Sequence, residues 1–165
     1  MVGPVPGKPE ARHDLVVQAR QGGGFVVGPL EGLWTSADNA AFVAGDKGEW
    51  DWTMMIPLPE VVSSQDIAEG LAQAARKKPE LPVSALKELS LSEGRSLQIL
   101  HVGTYDDEAP TLARLHDEVM PGLGLTWNGP HHEIYLSDPR RVAPERMKTV
   151  LRPPVRSVVE ANEAG

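Results

Sequence analysis

Polar and apolar residues alternate along His131-His132-Glu133-Ile134-Tyr135-Leu136-Ser137. With a repeat of two, Ile134 and Leu136 share one face of a strand, and His131, Glu133, Tyr135 and Ser137 share the other. One face can therefore pack on a core while its reverse carries an imidazole, a carboxylate and a phenol side by side. A half-buried antiparallel strand with a wet polar side shows the same alternation. Asp138-Pro139 ends the strand, because proline has no amide hydrogen and restricts the residue before it.

Strands are likewise predicted over 25–34, interrupted at Gly28-Pro29, and over 50–56, where Trp50, Trp52, Met54 and Ile56 share a face. Others fall at 83–91, at 97–105 (Leu97, Ile99, His101 and Tyr105 together) and near 149–151. The spacing predicts a helix over 63–78, capped by Ser63 with Asp66 in its first turn, carrying the stripe Ile67, Leu71 and Ala74 and stopped by Pro79. A second helix spans 110–120, with Pro110 in its first turn and Leu112, Leu115 and Val119 as its stripe. A shorter one is expected over 10–21.

Short turns between strands, with two helices set among them, predict an α+β fold with a mostly antiparallel sheet and helices on one face. The order strand 97–105, helix 110–120, strand 131–138, strand 149–153 makes one strand-helix-strand-strand unit. Strands 25–34 and 50–57 match the last two strands of a second such unit. Its opening strand and helix find no room in residues 1–24, which are rich in Gly and Pro, so the first unit of the tandem reads as truncated. The expected domain organisation is an irregular segment 1–24, a domain 25–156 and a frayed tail 157–165. A hairpin lacking its helix would expose an apolar face, and such faces usually find a partner; either a homodimer or an unstable fold is the expectation.

The net charge of −7, with Lys and Arg scattered, argues against a nucleic-acid-binding surface. The absence of cysteine excludes disulfides and thiolate metal sites. No apolar stretch has the length of a membrane span and no apolar leader opens the chain, so a cytoplasmic location is expected. His101, His131 and His132 lack the spacing of a metal site, and adjacent His131 and His132 point to opposite faces of a strand. No metal or cofactor is expected. The glycine clusters 22–24 and 122–124 lack the residues of a phosphate loop, and no serine has a nucleophile-elbow context. Trp34, Trp50 and Trp52 suit either a core or a bound flat cation.

His131 to Arg141, with Leu100-His101-Val102-Gly103-Thr104-Tyr105-Asp106-Asp107-Glu108 and Trp52-Thr53-Met54-Met55-Ile56, resembles the GyrI-like small-molecule-binding family. Those proteins are similar to the effector-binding domains of multidrug-sensing transcription regulators. The resemblance implies a pair of strand-helix-strand-strand units around a ligand cleft, with Glu133 inside it. A carboxylate desolvated among Trp and Met side chains would be balanced by a cationic, flat, lipophilic guest. Ligand contacts are expected from Glu31, Trp34, Trp52, Met54, His101, Tyr105, Glu133 and Tyr135. Two functions follow. One is the binding of small hydrophobic or cationic compounds, for sensing or sequestration. The other is a hydrolase that opens the cyclopropane of DNA-alkylating natural products by adding water. In that reaction Glu133 would activate the water and Tyr105 would protonate the developing oxyanion.

Overall fold

The computed structural model describes residues 25–36 and 50–163; the helix expected over 10–21 lies outside them. The described residues form two compact units, one of 29–36, 50–55 and 93–163, the other of 25–28 and 56–92.

The first unit is built on a five-stranded antiparallel sheet of β1 (Leu30–Ser36), β2 (Trp50–Met55), β3 (Ile99–Val102), β5 (His131–Tyr135) and β6 (Lys148–Arg152), in the order β2-β1-β5-β6-β3. β4 (Leu125–Trp127) and β7 (Val155–Ser157) make a separate two-stranded ribbon. Facing residues in an antiparallel pair share a side of the sheet, so the register fixes two faces. Met54, Gly32, Glu133 and Leu151 lie in one row, and Trp52, Trp34 and His131 in the next. Leu30, Tyr135, Thr149 and His101 complete that face. Its reverse carries Glu31, Leu33, His132, Ile134, Val150, Arg152, Leu100 and Val102.

Helix α2 packs over the β6–β3 side of the first face. It begins at Ala109–Ala113, widens into a π turn over Arg114–Val119 and closes at Met120–Gly122. The widening ends just before Pro121, which has no amide hydrogen for a further α-helical bond. Leu112 and Leu115 pack with Leu151, and Leu97, Ile99 and Val119 surround them. Met120, Leu125 and Val155 join the helix end to the ribbon. The third cluster, Trp34 and Tyr135 with Leu30, Met54, Tyr105 and Trp127, lies toward β1 and β2.

The strand-helix-strand-strand unit is thus β3, α2, β5 and β6, and β1–β2 is the hairpin beside it. Helices and a mostly antiparallel sheet make up the α+β fold that the alternation predicts. Several local expectations are corrected. No strand forms over 83–91: Val83–Ala85 is a single 3-10 turn, and Leu86, Leu89 and Leu91 are exposed. Apolar side chains made that stretch look strand-like, but no neighbouring strand pairs with it among the described residues. Between α2 and β5, where no strand was expected, the chain forms β4, whose one partner among the described residues, β7, is 28 residues or more further along the chain. Within the segment 157–165 the described residues Val158–Glu163 form a short helix, α3.

In the second unit, helix α1 (Ser64–Lys77) has the expected cap. The Asp66 amide donates to Ser63 Oγ at 3.2 Å, and the Ser63 amide donates to Asp66 Oδ2 at 3.0 Å. This reciprocal pair satisfies two amides that the helix cannot pair internally. Ser63→Ala is expected to cost about 1 kcal/mol, read as a lower midpoint of urea unfolding followed by circular dichroism. An unchanged midpoint would show that Asp66 alone carries the cap.

Candidate ligand site

Glu133 is central to the first face and only 2% exposed. Its neighbour along the strand, Tyr135, is also buried, and the two are tied together. Trp34 Nε1 donates to Tyr135 Oη at 2.9 Å, and Tyr135 Oη donates to Glu133 Oε2 at 2.8 Å. An indole N–H can only donate, so the phenol must accept from Trp34 and pass its own hydrogen to the carboxylate. The relay therefore has one direction and aims the Glu133 side chain. Burial, followed by the charge and hydrogen bond of Glu133, raises the Tyr135 phenol far above its ordinary range. It stays protonated as a donor.

Gly32 makes this arrangement fit. It lies between Met54 and Glu133 in the register. A Cβ there would stand 2.8 Å from Trp34 Nε1, 2.9 Å from Met54 Cε and 3.0 Å from Tyr135 Oη. A glycine inside a strand weakens the strand but admits close approach. Gly32→Ala is expected to push the indole and phenol apart and to destabilise the sheet unit by roughly 1–3 kcal/mol. Near-ultraviolet circular dichroism and thermal unfolding would report both changes. A variant with wild-type spectrum and melting temperature would show that Met54 and the rings yield freely.

Tyr105 follows β3 in a 3-10 turn, Tyr105–Asp107. Its ring meets that of Tyr135 edge-on, with centroids 5.6 Å apart. Burial, then the charges of Glu108, Glu133 and Asp138, raise its phenol to about 12. It too is a neutral donor at ordinary pH. Glu108, buried at the N-terminal end of α2, is a second carboxylate near Tyr105.

His101 serves that turn. Its Nε2 lies 3.0 Å from the Thr104 carbonyl and its Nδ1 lies 3.1 Å from Thr111 Oγ1. A carbonyl only accepts, so Nε2 carries a hydrogen. Gly103, at φ +143°, lets the chain turn close against the imidazole. His101 thus joins the turn bearing Tyr105 to helix α2.

The expected contact residues divide. Trp34, Met54, Tyr105, Glu133 and Tyr135 are brought together. Trp52 shares their face, cross-strand from Trp34, and is half exposed. Trp34 is itself buried core, so only Trp52 of the two leaves much of its ring accessible. Glu31 is on the opposite face. There it meets His132, whose Nε2 lies 3.0 Å from Glu31 Oε2 and whose Nδ1 lies 2.9 Å from Glu93 Oε1. Arg152 adds a contact to Glu93 at 3.5 Å. A one-residue step along a strand reverses the face, which separates Glu31 from the Gly32 row. Asp138 accepts three hydrogen bonds from Arg140, from Nε and Nη2 at 2.9 and 2.8 Å and from the backbone amide at 2.9 Å, and lies 3.7 Å from Arg141. These bonds keep its carboxyl well below the usual carboxylate range. Among the described residues no group of three or more His, Asp or Glu is placed to hold a metal ion, and no helix is long and apolar enough to cross a membrane.

Three residues outside the expected set deserve a place in the site. His116 from the π turn, Trp127 from β4 and His131 from β5 pack together, with centroid distances of 4.5 Å for His116–Trp127 and 5.5 Å for His116–His131. Trp127 also packs against the Trp34–Tyr135 cluster. The position of His116, four residues after Leu112 on the helix's apolar stripe, was the sequence signal for its burial. For Gly32 the signal was a glycine interrupting an otherwise regular strand.

The pattern of the GyrI-like small molecule binding domain matches residues 11–156. The chain belongs to that family. Among solved structures, this GyrI-like chain is 39% identical to an uncharacterized conserved protein from Listeria innocua, over 82% of its own length and 67% of the other, with a TM-score of 0.72. It is 36% identical to a hydrolase from Listeria innocua, covering 84% of this chain and 68% of that one, at a TM-score of 0.69. A second structure named as a hydrolase from the same organism is 34% identical, with 88% and 70% covered and a TM-score of 0.69. No curated protein matches the GyrI-like chain.

Proposed function

We propose that this GyrI-like domain binds flat hydrophobic or cationic small molecules on the Trp52–Met54–Glu133 side of its sheet, as a sensing or sequestering module. The carrying observation is Glu133, buried among aromatic rings and aimed by the Trp34–Tyr135 relay. A carboxylate withdrawn from water gains most from a guest that brings positive charge and an aromatic face. Trp52 and Met54 supply a ring and a polarizable thioether beside it. Titration of intrinsic tryptophan fluorescence with ethidium, rhodamine 6G and tetraphenylphosphonium tests the reading. Saturable quenching is expected with at least one of them. Absence of quenching by all three, in the wild type and in Glu133→Gln, removes it.

A second reading is favoured by the likeness to two structures named as hydrolases and by the pairing of Glu133 with a neutral Tyr105 phenol. In this reading the substrate is a cyclopropane-bearing DNA-alkylating natural product. Glu133 takes a proton from water as its oxygen attacks a ring carbon. The ring C–C bond breaks, its electrons pass to the conjugated carbonyl oxygen, and Tyr105 protonates that oxyanion. Mass spectrometry of such an alkylator would show the gain of one water with wild-type protein. Unchanged substrate, or hydration that persists in a Glu133→Gln/Tyr105→Phe double variant, excludes this chemistry.

A further inference from the structure

His116 is used by neither reading above. It is 8% exposed, and neither ring nitrogen has a hydrogen-bond partner among the described residues. Burial pushes it down to about 4, so at neutral pH it is uncharged, with one nitrogen a donor and the other an acceptor. Native proteins leave few buried polar groups unmet, and those they do leave often serve a ligand or water. Its surroundings point the same way. The ring is set by a π turn, a local geometry that recurs at functional sites. It rests on Trp127, which reaches the Trp34–Tyr135 cluster, and it stands edge-on to His131, two residues from Glu133 on the same face. His116 therefore stands against the row of Trp52, Trp34 and His131, next to the Glu133 row, and joins it through Trp127 to the Trp34–Tyr135 cluster.

We propose that His116 is a second polar anchor of the ligand site, one of its ring nitrogens meeting the carboxamide-type edge of a flat neutral group, either donating to its carbonyl oxygen or accepting from its N–H. This rests on the binding reading and narrows it: the guest carries an amide or lactam at one end, and the Glu133 end takes its lipophilic or cationic part.

The test uses two probes of equal flatness, 2-naphthamide and naphthalene, titrated calorimetrically into wild-type protein, His116→Phe and His116→Gln. Phenylalanine keeps a ring against Trp127 and removes both nitrogens; glutamine keeps a donor and an acceptor. Loss of this hydrogen bonding should weaken 2-naphthamide by about tenfold in His116→Phe, leave naphthalene unchanged, and be largely rescued in His116→Gln. In ring-15N-histidine wild-type protein, 2-naphthamide should shift the His116 nitrogens and naphthalene should not, a readout that stands even if both variants misfold. Equal 2-naphthamide affinity in His116→Phe and wild type, or unmoved His116 nitrogens, overturns the proposal and leaves His116 as packing around an interior water. Glu133-dependent binding of the cations without any His116 effect overturns this inference alone. Binding of neither cations nor naphthalenes overturns the parent reading with it.

Discussion

Glu133→Gln is expected to weaken the binding of lipophilic cations by at least about tenfold while leaving the melting temperature near that of the wild type. Glutamine keeps the shape and still accepts from Tyr135 Oη, so the relay from Trp34 survives. What it removes is a charge in a site that is 2% exposed. A cationic guest would set its charge against that carboxylate where little water screens the pair. Removing the charge deprives the ligand of its counter-ion. Lost affinity with the melting temperature retained distinguishes a binding group from a structural one. Were the carboxylate only a framework residue, its loss would lower the melting temperature and leave affinity alone. If the hydrolase reading holds, the same variant should also slow hydration by roughly two to four orders of magnitude, measured as kcat by chromatography. A variant with unchanged affinity and unchanged rate would remove Glu133 from the site.

His132→Leu carries the largest expected loss of stability, about 3–5 kcal/mol near pH 6. The imidazole lies between Glu31 and Glu93, and all three side chains are largely buried. Leucine would leave the two carboxylates without their shared partner, with Arg152 in contact with Glu93 alone. The wild type should also show a pH signature. Burial by itself lowers the His132 value, but the hydrogen bond to Glu31, the charge and hydrogen bond of Glu93 and the charge of Glu31 outweigh it and raise it above 6.5. The folded protein then holds this proton more tightly than the unfolded chain does. The resulting stabilisation is complete below about pH 6.5 and is lost as pH rises through the elevated folded value. Chemical denaturation of wild type and His132→Leu at intervals from pH 5.5 to 9 tests this. The gap between them should narrow toward high pH. Parallel profiles would show that His132 does not titrate in the ion network.

Both variants concern neighbours in one strand, and both depend on something alternation could reveal only in part. That His131, Glu133 and Tyr135 share a face while His132 takes the reverse is a local property of an extended chain, and it was legible from seven residues. So were the cap at Ser63 and Asp66, the stripe of Leu112 and Leu115, and the strand-helix-strand-strand order, because each depends on spacing within one or two turns or along one strand. The resemblance carried by 52–56, 100–108 and 131–141 led to the GyrI-like family that the pattern match over 11–156 shows.

Which residue stands opposite which was not legible. Nothing in the sequence near Glu31 says that it faces His132 rather than Glu133; that comes from the pairing of β1 with β5, about a hundred residues apart. The Trp34–Tyr135–Glu133 relay, the space that Gly32 leaves for it and the meeting of His116 with His131 arise in the same way, from register and from helix packing. Sequence by itself therefore determined the type of each main element and the polar side of the central strand, since both follow from side-chain repeats of two and 3.6. Tertiary structure decided which acid is buried, what aims it and which imidazoles join it, because those contacts exist only once distant strands and the π turn have been brought together.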